Sequence, residues 1–444
     1  MHESVRERAK AGKAARAATR RSSHAALPLD EQRDPLALLA AQDSARVAEL
    51  VPLRYERMRA SPLGFFRGAA VVVANDLAGT PAAGFAAQLS GDAHLLNFGG
   101  FASPERDLVF DLNDFDETLR GPFEWDVKRL VTSFEIAGRE RGLGKRERHI
   151  AVHTAARTYR ETMRTLARMG DLDVWYARLD ARGVEAELKR TGGRTLRRSV
   201  RRSEAKAYRH DRLLAASKLT HTVDGTRRFV ARPPLLVPVE DSSLAPLLHE
   251  LFHRYLRSLP VERRTLLERF EYVDLANKVV GIGSVGTRCW VLLLVGRDAR
   301  DPLLLQIKEA QPSVLEPLVG ASGYATHGQR IVEGQLLLQA ASDIFLGWAH
   351  SEHELAGGTR DYYVRQLWDW KVSVDLETIS PRGLAAYARA CGWTLARAHA
   401  RSGDRVAIAA YLGAGESFDR AVATFARAYA DLNEQDHRRL AAAA

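Results

Sequence analysis

The chain has 444 residues, a formal net charge of +10 and two cysteines, with 46% hydrophobic and 27% charged residues. That composition is ordinary for a globular protein and allows two or three units with cores of their own. No apolar run approaches the ~18–20 residues that span a bilayer. The N-terminus lacks the apolar stretch of a secretory signal, and Cys289 and Cys391 offer neither a disulfide framework nor a ligand spacing, so the expectation is a cytoplasmic protein with no membrane association.

Residues 1–33 are basic and Ala-rich and read as a flexible tail. Residues 34–60 carry helical spacing, with Leu39, Val47, Leu50 and Leu53 near one face, until Ser61-Pro62 breaks it. A second helix is predicted over 65–78 and closed by Gly79. GFAAQLSG then forms a short strand into the loop SGDAHLLNFG (90–99). DLVFDLNDFDE follows as a strand on which Leu108, Phe110 and Leu112 alternate. A helix over 122–140 takes proline in its first turn. Residues 145–220 read as largely helical and Arg-rich. The stretch 189–212 holds ten Lys/Arg against two acids, which a solvated helical face explains better than a nucleic-acid patch. After a Pro-broken segment (227–239) and another helix, the character changes at 271 to strand, Gly loop, strand, turn, strand. A helix at Gln329–Asp343, a strand at 361–370 and C-terminal helices complete the chain. The expected organisation is therefore a helical lobe (34–270) with the catalytic and metal loops, a sheet lobe and hinge (271–370), and helices (371–444) that pack back on the first lobe.

The chemistry begins in the 90–99 loop. Asp92 and Asn97 are five residues apart, and Asn113–Asp116 closes the next strand. Phosphoryl transfer needs a carboxylate to orient or accept the nucleophile's proton and hard oxygen ligands to hold Mg²⁺. A loop beside a strand end brings such groups together. This pattern resembles the protein-kinase signature of an Asp base, a metal-binding Asn and a later metal-binding Asp. The resemblance implies Asp92 and His94 as candidate catalytic residues and Asn97, Asp114 and Asp116 as candidate metal ligands, with Asp111 as the alternative to Asp114. Gly91-Asp92-Ala93-His94-Leu95-Leu96-Asn97 resembles the G-D-x-H-x-x-N loop of aminoglycoside and choline phosphotransferases, with Ser90 where those families usually carry a His. The resemblance extends to Asp126, twelve residues after Asp114 in GPFEWD. It implies that Asp126 braces the loop; for Arg129 two readings stand, a supporting salt bridge or plain helix-surface charge.

The nucleotide half of such a site is encoded later. Gly281-Ile282-Gly283-Ser284-Val285-Gly286 lies between strand-like segments, so a hairpin is expected rather than a strand-to-helix dinucleotide fingerprint. Gly281, Gly283, Ser284 and Gly286 would cover the phosphates of ATP. Lys308, at the end of LLLQIKEA, resembles the phosphate-anchoring lysine of kinase strands. Its acidic partner is expected on the following helix at Glu333, with Glu316 as the alternative.

Several stretches, including RYERM, FFRGAA, GDAHLLNFG, FDLNDFDET, GPFEWDVKRL, GQRIVEGQ, YVRQL and LARAHARSGD, resemble the bacterial domain-of-unknown-function family 2252 over roughly residues 34 to 435. The resulting expectation is an α+β, protein-kinase-like two-lobe fold in circularly permuted order. It would act as an ATP- and Mg²⁺-dependent phosphotransferase on a small-molecule or protein acceptor. A nucleotide-binding regulator without catalysis, a metal-dependent hydrolase and an AMP transferase are the alternatives. Neither acceptor nor oligomeric state is readable.

Overall fold

The computed structural model describes residues 3–180, 212–239, 245–352, 358–367 and 370–443. Among them the protein is mixed α and β, and every strand pairing is antiparallel. No helix of these residues is long and apolar enough to cross a membrane. Most of the basic 189–212 stretch lies outside the described residues.

The larger core gathers four helices, Phe123–Glu140, Lys145–Leu166, Pro381–Ser402 and Ser417–Ala442. Small residues let two of them approach closely: a Cβ on Gly392 would meet the Ala155 carbonyl oxygen at 2.4 Å. Against these helices lie strands β1 (Ala86–Leu89) and β4 (Leu119–Pro122), paired with each other, and the hairpin of β2 (Phe98–Ala102) and β3 (Leu108–Leu112).

The second unit is a six-stranded sheet. Its order is β9 (Gly347–Ser351), β10 (Arg360–Gln366), β8 (Pro302–Ala310), β7 (Cys289–Val295), β6 (Glu271–Lys278) and β5 (Leu236–Pro238), numbered along the chain after β4. β7 and β8 are buried on both faces, which explains the apolar runs CWVLLLV and PLLL. Leu292, Leu294, Leu303 and Leu305 pack toward Leu251, Tyr255 and Leu259. Val291, Leu293 and Leu304 pack toward Ala215, Ala216 and Leu219 on the opposite face.

Three expectations are corrected. The N-terminal segment, expected as a flexible tail, forms a helix at Val5–Ala18 that docks on Arg405–Leu412. Gly12 permits the approach, since a Cβ there would fall 2.1 Å from the Ala407 carbonyl oxygen. Its arginines cap the partner helix: Arg16 and Arg21 donate to the Tyr411 and Leu412 carbonyls at 2.9 and 2.8 Å. The sheet unit starts earlier than residue 271, because β5 is its edge strand and the helices Arg212–Leu219 and Ala245–Ser258 cover its two faces. The helix expected over 65–78 breaks at Ala69 into Pro62–Gly68 and Ala70–Ala78.

Candidate active site

A cleft of about 940 Å³ opens between the sheet and the β2–β3 hairpin. Asn97, Asp114, Gly281, Ser284 and Lys308 all line it, with Arg67, Arg365 and Gln306. A smaller compartment of about 110 Å³ continues from it and adds Asp92, His94, Asp116 and Gly283. Arg67, Asn97, Asp114, Gly281 and Ser284 belong to both. Two groups far apart in sequence are thus brought to one continuous space. Gly286 stands just behind it, with a φ of 91° and its Cβ position against Arg46.

The 90–97 loop is held from beneath by Asp126, in the first turn of the Phe123–Glu140 helix. Asp126 accepts hydrogen bonds from the Ser90 amide at 2.7 Å and the Gly91 amide at 3.0 Å, and lies 3.2 Å from His399 Nε2. Gly91 has a φ of 80°, and a Cβ there would meet the Glu117 carbonyl oxygen at 2.4 Å, so this turn requires glycine. Arg129, one turn after Asp126, donates from Nε to Asp92 Oδ1 at 2.7 Å and stacks 4.1 Å from the Phe66 ring centroid. Burial pushes the Asp92 carboxyl up to about 6; Arg129 opposes this and Asp114 adds to it.

His94 sits behind Asp92. Its Nδ1 accepts from the Leu96 amide at 3.2 Å and its Nε2 is 3.7 Å from Asp92 Oδ2. Burial, then Arg67 and Arg129, hold the imidazole well below its usual pKa. It is suited to orienting Asp92, not to carrying a proton's charge. Asn97 donates from Nδ2 to the Asp92 carbonyl at 2.7 Å, which leaves its Oδ1 as the atom for a cation.

The three acids on β3 and in the turn after it have separate fates. Asp111 is buried in an ion pair with Arg397, and also accepts from the Ala340 amide at 3.0 Å. Asp114 faces the cleft, and its carboxylate accepts from the Asp116 amide at 3.3 Å. Asp116, expected as a metal ligand, is instead the partner of Lys308; it also accepts from Tyr363 Oη at 2.8 Å and Ser284 Oγ at 3.1 Å. Burial opposes the Lys308 charge, but Asp116 and Tyr363 outweigh it and raise the ammonium's pKa above its ordinary value. Burial likewise opposes the Asp116 charge, and Lys308 then Tyr363 hold its carboxyl below the usual range.

The expected partner Glu333 is therefore corrected. The His327–Leu338 helix turns Arg330 toward the turn after Asp116, where it donates to the Thr118, Asp116 and Gln311 carbonyls at 2.7, 2.9 and 2.8 Å. Glu333 makes no ion pair with Lys308, and Glu316 lies near Arg330 and His327 at 3.7 and 3.6 Å. Sequence reasoning missed Arg67, Arg330, Tyr363 and Arg365. YVRQL contains the last two, but nothing in its spacing marks them.

Asn97 and Asp114 offer hard oxygen atoms to one space, as Mg²⁺ requires. Among the described residues no three His, Cys, Asp or Glu side chains gather as a metal-holding group. The protein would thus supply a minority of the ligands, which is usual for Mg²⁺ shared with phosphates and water. Asp111→Ala tests the alternative assignment. It leaves Arg397 buried without a carboxylate, and urea unfolding should show a loss of about 3–5 kcal/mol. A loss below about 1 kcal/mol would remove the structural role given to this pair.

Fold and site define a mixed α/β protein with a cleft where a glycine-rich hairpin and a strand lysine meet an Asp/Asn loop. The chain belongs to a bacterial family: residues 46–443 match the family described as an uncharacterized protein conserved in bacteria, DUF2252. No curated protein and no solved structure matches it.

Proposed function

We propose that this protein is an ATP- and Mg²⁺-dependent phosphotransferase with a protein-kinase-like two-lobe fold in permuted order, working in the cytosol. The observation that carries the reading is the shared cleft, which Lys308, Gly281 and Ser284 line together with Asn97 and Asp114, with Asp92 in the adjoining compartment. In this reading the hairpin amides and Lys308 hold the phosphates, and Asn97 and Asp114 hold Mg²⁺. The bound cation would supply charge neutralisation for the phosphates. Asp92 orients the acceptor hydroxyl or takes its proton, with Arg129 and His94 fixing the carboxylate. Asp116 keeps Lys308 at the cleft, the role expected of Glu333.

Titration calorimetry with Mg²⁺·ATP on the native chain, Lys308→Ala and Asp114→Ala tests this. Binding by the native chain and a loss of at least about tenfold in each variant is expected, since each removes a charged contact. A folded native chain that binds no Mg²⁺·ATP would sink the reading. Binding without turnover would favour a regulator, and hydrolytic activity without ATP a metal-dependent hydrolase.

A further inference from the structure

The glycine-rich hairpin is held by a segment far from it in sequence. Arg57 Nη1 donates to the Gly281 carbonyl at 2.6 Å, and Arg46 Nη1 to the Gly283 carbonyl at 2.9 Å and to that of Val285. The Val47 amide donates to the Gly286 carbonyl at 2.7 Å. Within the loop, the Ile282 carbonyl accepts from the Val285 amide and the Ser284 carbonyl from Thr287. Every carbonyl from 281 to 286 is thereby engaged. The amides of Ile282, Gly283, Ser284 and Gly286, by contrast, donate to no group among the described residues. Glycine makes the close approach feasible: a Cβ on Gly286 would lie 3.0 Å from Arg46 Cβ.

We infer that Arg46 and Arg57 are positioning residues that hold the hairpin by its carbonyls and so present its amides to the phosphates of a nucleotide. A guanidinium on a carbonyl oxygen also polarises that peptide group and makes the adjoining N–H a better donor. Two cations thus act on a bound anion without touching it. Both arginines come from the unit that carries Asp92, so the same contacts fix the hairpin's height above the cleft. This rests on the phosphotransferase reading.

The test compares the native chain with Arg46→Ala, Arg46→Lys, Arg57→Ala and Arg57→Lys. Calorimetry with Mg²⁺·ATP is expected to show a Kd raised about tenfold in each alanine variant, the magnitude of one charge-assisted hydrogen bond. Arg57→Lys should recover most of the loss, since one carbonyl needs one donor. Arg46→Lys should recover less, since both carbonyls are bonded by the single Nη1, whose two N–H groups are held in the guanidinium plane, and a freely rotating ammonium on a differently shaped stem must satisfy both. Steady-state turnover should show a raised KM with kcat within about twofold; a merely structural defect would lower kcat through the folded fraction. Amide exchange in residues 281–287 should quicken in the alanine variants. The lysine pair keeps the test decisive if an alanine variant does not fold. A native chain that binds no Mg²⁺·ATP overturns this inference together with the proposed function. Native binding with unchanged Kd and KM in the variants overturns this inference alone.

Discussion

Asp92→Asn is expected to lower ATP turnover by about 10²–10⁴-fold, the usual worth of a positioned acid–base group. Mg²⁺·ATP binding should be nearly unchanged, because Lys308, Asn97 and Asp114 remain. The isosteric amide keeps an oxygen for Arg129, so the fold should persist. The pH profile gives an independent check. With its carboxyl pushed up to about 6 by burial, Asp92 becomes a base only as pH rises through that value. Turnover should therefore climb between about pH 5 and 7 in the native chain, and the residual turnover of Asp92→Asn should lack that limb. The effect on stability has the opposite sign. Between the ordinary carboxylate value and about 6, the native state holds a proton that the unfolded chain has lost, so this group's contribution falls as pH rises through that window. Equal turnover in the native chain and Asp92→Asn would remove Asp92 from the chemistry.

Local patterns were legible wherever chemistry and chain geometry coincide. The twelve-residue step from Asp114 to Asp126 placed a carboxylate under the loop, because only a short turn and β4 separate Asp114, just past β3, from the first turn of the Phe123–Glu140 helix. The flanking strand residues identified the glycine hairpin. Lys308's partner was not legible, since Asp116 lies 192 positions away and only the docking of sheet on turn brings them together. The choice between Asp111 and Asp114 depended on Arg397, one arginine among many, which the Pro381–Ser402 helix delivers to β3. The docking of Val5–Ala18 was hidden for a different reason. It uses glycine and alanine contact and arginine-to-carbonyl capping, neither of which leaves a hydrophobic stripe. Arg46 and Arg57 escaped likewise, because a contact with a carbonyl has no sequence signature on the accepting side.

The 90–97 loop depends on a residue outside the cleft, whose removal is expected to cost both stability and turnover. Asp126 is 1% exposed and satisfies two loop amides, Ser90 and Gly91. His399 lies against it, and Tyr159 Oη is 2.9 Å from the other nitrogen of that imidazole. Asp126→Ala leaves these donors buried without an acceptor, and a loss of about 3–5 kcal/mol is expected in urea unfolding. Asp126→Asn keeps one oxygen but turns an NH₂ group toward an amide donor, so an intermediate loss of about 1–3 kcal/mol is expected. Because Asp92 follows Gly91 directly, both variants should also lose turnover beyond what the folded fraction explains, with Asp126→Ala the more severe. Amide exchange at Ser90 and Gly91 separates the two effects: faster exchange there, with native protection in the Lys145–Leu166 helix, marks a loosened loop in an intact fold. If Asp126→Ala unfolds at the native urea midpoint and turns over normally, the loop is held by its own turn geometry and Asp126 is not its brace.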